Sequence, residues 1–498
     1  MEPESYERRW WTLIVLCASL LVIGLDNTVL NVALPTLVKD LSASASELQW
    51  IVDSYVLVFA GMLLTAGSLG DRFGRKRALN FGMLVFVLGS FFSAYSGSGA
   101  QLIASRALMG FGGAFIMPST LSILTNIFPP KERGRAIAIW TATAGVAIPL
   151  GPVIGGWLLE HFWWGSVFLV NVPIIAVALI AGFFLVPESK DPEHASLDPI
   201  GAVLSIAGLG VLLYGIIEAP NYGWLSLRSW VAFVAGTLLL AAFALWERRN
   251  PRPMLNLRFF RNPRFSAASL SIALVFFALF GSMFFLTQYL QVVLGFSTLQ
   301  AGIRITPVAL GILIGAPASV RLVRLLGSKV VVAGGLSIVA IGLFIMSRAT
   351  ATSGYALIGF SIPIIGLGMG LTMAPATDSI MGSVPRANAG VGSAMNDTTR
   401  QVGGALGVAV LGSILSTAYS SRIGDVASAL PPAQEAMVRD SIGAAAQVAQ
   451  QVGGFDGNLL MSGANSAFIH GMDVTLVAAA GVALFGALIS LAFLPARE

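Results

Sequence analysis

Apolar runs long enough to cross a bilayer constrain this chain more than any other feature. A hydrocarbon core about 30 Å thick needs roughly 20 residues of helix, and the sequence offers about fourteen such segments. They are expected at 11–34, 49–69, 78–97, 102–126, 135–158, 166–187, 198–218 and 229–247, then at 265–291, 301–323, 329–347, 353–375, 396–419 and 470–494. Each is apolar throughout rather than alternating, which excludes amphipathic surface helices and a β-barrel. Only 11% of the 498 residues are charged and 56% are hydrophobic, whereas a soluble domain carries about 25% charge to cover its surface. The expected fold class is an all-α polytopic membrane protein.

The remaining composition fits that class. The 55 glycines suit membrane helices that must approach one another closely. A single cysteine, Cys17, allows no intramolecular disulfide, and His161, His194 and His470 lie too far apart in sequence to suggest a metal site. Met1 to Arg9 carries acids and no cleavable-signal pattern, so the first span is expected to remain as a helix. The net charge of +5 is local. Arg8, Arg9, the Arg72/Arg75/Lys76/Arg77 cluster, Lys131/Arg133/Arg135 and the run Arg248 to Arg264 all fall on one side of the fourteen-span scheme. Positive loops stay inside, so both termini are expected in the cytoplasm, and the excess charge marks topology and lipid headgroups rather than nucleic acid.

The spans divide as six, two and six: a first bundle over 1–187, two linking helices over 188–258, and a second bundle over 259–498 with a long outer loop at 420–469. A weak internal repeat supports the division. GSLGDRFGRK after the second span aligns through Gly74 with VRLVRLLGSK, where Gly327 follows the tenth span and Arg324 stands at the place of Asp71. Two six-helix halves about a central cavity are the architecture of an alternating-access transporter. Within the outer loop, the stretch after Pro431-Pro432 reads as a short helix or hairpin lying on the outer face.

Four motifs make the reading specific: LDNTVLNVALP (Leu25 to Pro35), GSLGDRFGRKRA (Gly67 to Ala78), LIASRALMGFGGA (Leu102 to Ala114) and IPLGPVIGGW (Ile148 to Trp157). Together with ELQWIVDSY and WGSVFLVNVP, they resemble the major facilitator superfamily, and within it the fourteen-span drug:proton antiporters of the EmrB/QacA type. That resemblance implies two six-helix bundles with two central extra helices. It also implies proton-coupled export of amphiphilic, cationic drugs or dyes, with no cofactor beyond the proton, in the bacterial inner membrane. A monomer is expected. The family has glycine where Ala147 stands here.

Each motif also has a direct physical reading. In the Gly67 loop, Gly67 and Gly74 permit close approach and a tight turn. Asp71, flanked by Arg72 and Arg75, can pair with Arg75 or sit at a helix N-terminus, where the dipole favours an anion; such a contact would act as a gate latch, the alternative being a basic turn that only sets topology. In the fifth span Gly145, Gly151, Gly155 and Gly156 clear one stripe while Pro149 and Pro152 interrupt the backbone ladder, as a helix sealing two bundles requires. A charge at mid-membrane costs at least ~2.5–3.5 kcal/mol, so Asp26, Asp53, Arg106 and Asp397 are the sharpest candidates. Asp26 and Asp53 are assigned to proton and cation binding, tuned by Arg106. The competing role is a fixed ion pair that orders the bundle, and for Asp397 a local pair with Arg400. Tyr55, Met117, Phe284, Phe285 and Tyr289 are candidates to line a cavity. No nucleotide-binding GxxxxGK[ST] loop or hydrolase array occurs, so the chain is expected not to be an enzyme. The rival to export is a proton symporter or uniporter for a small metabolite.

Overall fold

The computed structural model describes residues 7–41, 45–190, 198–251, 253, 255–428 and 430–495, and every regular element among them is helical. Fourteen helices among the described residues are long and apolar enough to cross a membrane. With no water to satisfy exposed amides in hydrocarbon, each span must close its own backbone hydrogen bonds.

The first half contains α1 (Arg9–Leu41), α2 (Ala45–Phe73), α3 (Arg75–Ala94), α4 (Gly99–Ile127), α5 (Pro130–His161), the short α6 (Ser166–Leu169) and α7 (Asn171–Leu185). A linking pair follows, α8 (Pro199–Tyr222) and α9 (Leu227–Arg249). The second half contains α10 (Pro263–Gln288), α11 (Thr298–Ile305), α12 (Pro307–Leu326), α13 (Ser328–Ser347), α14 (Ala356–Gly382), α15 (Ala389–Ala427), α16 (Pro432–Asp440), α17 (Ile442–Val452) and α18 (Gly454–Phe493). Side chains such as Leu16, Phe59, Phe86 and Trp140 build one apolar cluster, and Phe265, Phe285, Leu336 and Phe468 build a second.

The two halves repeat one packing scheme. In the first, α4 is wedged between α2 and α3: a Cβ at Gly110 would run into the backbone of Tyr55, and one at Gly112 into Gly82 and Phe86. In the second, α14 is wedged between α12 and α13, with Gly366 on Val308 and Gly368 on Gly335 and Val339. The aligned turn glycines share a backbone shape. Gly74 has φ 113° and ψ 127°, and Gly327 has φ 82° and ψ 158°, a region that a residue with a Cβ rarely enters.

α8 leans on both halves. Leu213 and Ile216 pack with Ala60 of α2 and Ala409 of α15. Trp50 of α2 stacks on Tyr214, with ring centroids 6.1 Å apart. Trp224, after α8, donates from Nε1 to Ser413 Oγ at 2.7 Å. At its other end, Asp198 caps α8 through the Gly201 amide and also accepts from Trp246 and Asn250, tying α8 to α9.

The stretch 420–469, expected as a loop, is nearly all helical. α15 continues to Ala427, α16 and α17 form a hairpin, and α18 starts at Gly454 rather than near 470. Val438, Ile442, Ala445 and Val448 turn inward onto the second cluster, and Tyr419 Oη donates to the Val438 carbonyl at 3.0 Å. Hydropathy marks only the portion of a helix inside hydrocarbon. The 40 residues of α18 extend about 60 Å, twice the core thickness, and the excess carries Asn458, Ser462 and Asn465.

Candidate functional site

Two buried charges meet inside the first half. Asp26 lies about 26 Å along α1 from Arg9 at 1.5 Å per residue, and its side chain is fully buried. Arg106 of α4 donates from Nη1 to Asp26 Oδ2 at 2.5 Å, while Asn171 of α7 donates to Oδ1 at 3.2 Å. Arg106 also reaches the Ile51 carbonyl of α2 at 3.3 Å and lies over the Tyr55 ring, 4.4 Å from its centroid. Four spans therefore converge on one ion pair. Pairing and hydrogen bonding let both charges persist away from water. Asp53 lies on α2, half-buried, two residues before Tyr55; residues two apart do not share a helix face.

A second charged cluster lies where the halves meet. Asp397 and Arg400 of α15 are both buried and form an i,i+3 pair at 3.7 Å. Asn396 donates to Asp397 Oδ1 at 3.3 Å, and Arg400 donates to Thr377 Oγ1 of α14 at 3.3 Å. The guanidinium sits over Trp140 of α5, 4.8 Å from the ring centroid, with Phe276 of α10 at 5.4 Å. Trp140 is fixed in turn by donation from Nε1 to Thr120 Oγ1 of α4.

At the end bearing the basic turns, Asp71 accepts from Arg75 Nε at 2.8 Å and from the amides of Gly390 at 2.8 Å and Val391 at 3.1 Å. Those amides open α15, so one carboxylate both pairs with its i+4 arginine and caps a helix of the opposite half. Arg75 extends the joint to the carbonyls of Arg386 at 2.7 Å and Ala387 at 3.0 Å. Gly67 lets α2 touch α15, because a Cβ there would meet Gly390 O and Ala394 Cβ. Arg72 lies over Phe73, 5.2 Å from the centroid.

The fifth-span glycines serve three neighbouring helices. Gly151 and Gly155 face Thr28 and Val29 of α1, whereas Gly145 faces Ile312 of α12 and Gly156 faces Leu299 of α11. Pro152 packs on Gly302 of α11. Ala147 is answered across the interface: it is fully buried with its methyl on Gly24 of α1, where a Cβ would collide with it. The space the family takes from this helix is here taken from its partner.

The aromatic candidates do not come together as a cavity lining. Tyr55 is buried beneath Arg106 and stacked on Phe59, and Met117 packs against the first cluster. Phe285 and Tyr289 are fully buried in the second half's own cluster, where Tyr289 Oη donates to the Thr350 carbonyl, and Phe284 is 48% exposed. Large aromatic side chains in an apolar run serve core, lipid and cavity alike, and periodicity alone cannot sort them. Sequence reasoning also passed over Asn171, Thr377 and Trp140. Asn171 is a polar residue in an apolar phrase, a signal that was available; Trp140 offers none.

Two similar six-span halves, a linking pair of spans, contacts between the halves along α2–α15 and α5–α12, and charges held in the interior define a polytopic membrane carrier. The family model described as the Major Facilitator Superfamily matches residues 16–408, and the chain belongs to that family. It is a transporter, not an enzyme. It is 38% identical over 481 residues to the multidrug efflux pump LfrA of Mycolicibacterium smegmatis, covering 96% of this chain and 95% of that protein. The tetracenomycin C resistance and export protein of Streptomyces glaucescens is 34% identical, with 97% and 91% covered. The methyl viologen resistance protein SmvA of Salmonella typhimurium is 33% identical, with 96% of each covered. Among solved structures, the human organic anion transporter MFSD10 superposes with a TM-score of 0.65 at 15% identity, over 98% of this chain and 100% of that one. A bacterial homologue of the lysosomal transporter Spinster, inward-facing and unoccupied, gives 0.59 at 22% identity, over 100% and 99%. These two show the fold alone.

Proposed function

We propose that this chain is a proton-coupled multidrug exporter. In this reading it sits in the bacterial inner membrane as a monomer with both termini cytoplasmic, and expels amphiphilic cations by alternating access. The observation that carries it is Asp26, a carboxylate with no exposed surface held by Arg106 and Asn171 deep in the first half. An acid placed there is a functional group by default, because a charge in hydrocarbon costs at least ~2.5–3.5 kcal/mol.

Ionised Asp26 binds Arg106 and holds α1, α2, α4 and α7 together. Protonation cancels the attraction and frees the guanidinium, so proton occupancy selects between two packings of the first half. Asp71 and Arg75 close the basic end, which is the cytoplasmic end in this reading, by clamping the start of α15. The tight α5 interfaces exclude a leak while the halves rock. Asp53 shapes which cations are accepted, and Asp397 supplies a second acid at the seam. Full-length similarity to relatives named for efflux and resistance supports export over uptake. Deleting the gene is expected to raise cellular ethidium retention, and re-expression to lower it. Retention that falls on deletion would instead indicate import.

A further inference from the structure

Two further buried arginine–carboxylate pairs among the described residues are tight: Arg106 and Asp26 meet at 2.5 Å, and Arg75 and Asp71 at 2.7 Å. Arg400 and Asp397 are only 3.7 Å apart, beyond the 2.7–2.9 Å of a charge-assisted hydrogen bond. Both residues are buried, yet Arg400 Nε and Asp397 Oδ2 meet no protein partner. The better contacts of this guanidinium are two aromatic faces, Trp140 and Phe276. A planar cation thus lies against two rings with a half-used carboxylate beside it. Trp140 belongs to the first half, while Phe276, Asp397 and Arg400 belong to the second, so the arrangement straddles the seam that must open during transport.

We infer that Trp140, Phe276 and Asp397 form a substrate subsite for planar cations, and that Arg400 fills it as a tethered competitor when substrate is absent. The inference rests on the reading of the chain as a carrier of amphiphilic cations and names where such a cation binds. Faces of Trp and Phe attract delocalised cations, and guanidinium is itself the side-chain cation most like a planar dye. A substrate cation displaces Arg400 from the rings and takes up the open oxygen of Asp397. Arg400 returns when the substrate leaves, so the carboxylate is never left alone at the seam.

The competitor role makes a prediction that a purely structural Arg400 would not. In purified full-length protein, Arg400→Gln should tighten ethidium binding by about tenfold, and Trp140→Leu should weaken it by about tenfold. In the double variant the gain from Arg400→Gln should vanish. Binding of neutral Nile red should stay close to wild type throughout. Ethidium affinity unchanged or weakened in folded Arg400→Gln would overturn the inference. So would a gain that persists in the double variant, since that would be bare attraction to Asp397 without the rings. Should Arg400→Gln not fold, Trp140→Phe compared with Trp140→Leu reads the same subsite: Phe should retain most of the affinity, and equal losses for both dyes would contradict the assignment. Wild-type protein that binds neither dye contradicts the exporter reading along with this one. Wild-type protein that binds ethidium independently of Arg400 and Trp140 contradicts this one alone.

Discussion

Three of the buried ion pairs among the described residues carry different loads. Asp71–Arg75 ties the halves at the basic end through backbone amides and carbonyls. Asp397–Arg400 is loose and faces the seam. Asp26–Arg106 joins four helices of one half, so removing one partner should strand the other away from water. Arg106→Gln is therefore expected to destabilise the protein by ~3–5 kcal/mol, read as a lower midpoint in thermal or chemical unfolding in detergent. Asp26→Asn combined with Arg106→Gln should regain much of that loss. A double variant as unstable as Arg106→Gln alone would mean that the arginine acts by packing rather than charge. The charges were legible in the sequence because they stand out inside apolar runs, whereas which acid Arg106 holds was left open between Asp26 and Asp53. Asn171, Thr377 and Trp140 were not picked out, because a sequence does not say which neighbouring helix a residue turns toward.

At the level of elements, glycine placement decides which helices touch. The family's missing fifth-span glycine is supplied here by Gly24 of α1, against which the Ala147 methyl rests. Gly24→Ala should then push α1 from α5 and lower both thermal stability and transport, and Ala147→Gly should restore both. Failure of that rescue would refute the exchange. The fourteen apolar segments could be placed from hydropathy, since a bilayer imposes one length and one polarity on every span. Helix ends could not be placed. α15 and α18 run well beyond the hydrocarbon into polar sequence, and α16–α17 is a surface hairpin whose inward face is Val438, Ile442, Ala445 and Val448. No bilayer constrains such residues, so the sequence carries only an ordinary amphipathic signal there.

At the scale of the whole molecule, two copies of one packing scheme meet along α2–α15 and α5–α12, with α8 resting on both halves beside α2 and α15. The basic end is closed by Asp71 and Arg75 on the start of α15. In the proposed mechanism, proton occupancy of Asp26 drives cation export through this frame. The most direct measurement is ethidium uptake into energised inverted membrane vesicles bearing wild-type or Asp26→Asn protein at matched expression. Asn keeps the volume of Asp and one of its two accepting oxygens but exchanges no proton. Wild-type vesicles should accumulate ethidium until a protonophore is added, and Asp26→Asn vesicles should not accumulate it. Accumulation that survives the protonophore, or wild-type uptake by Asp26→Asn, would contradict the account.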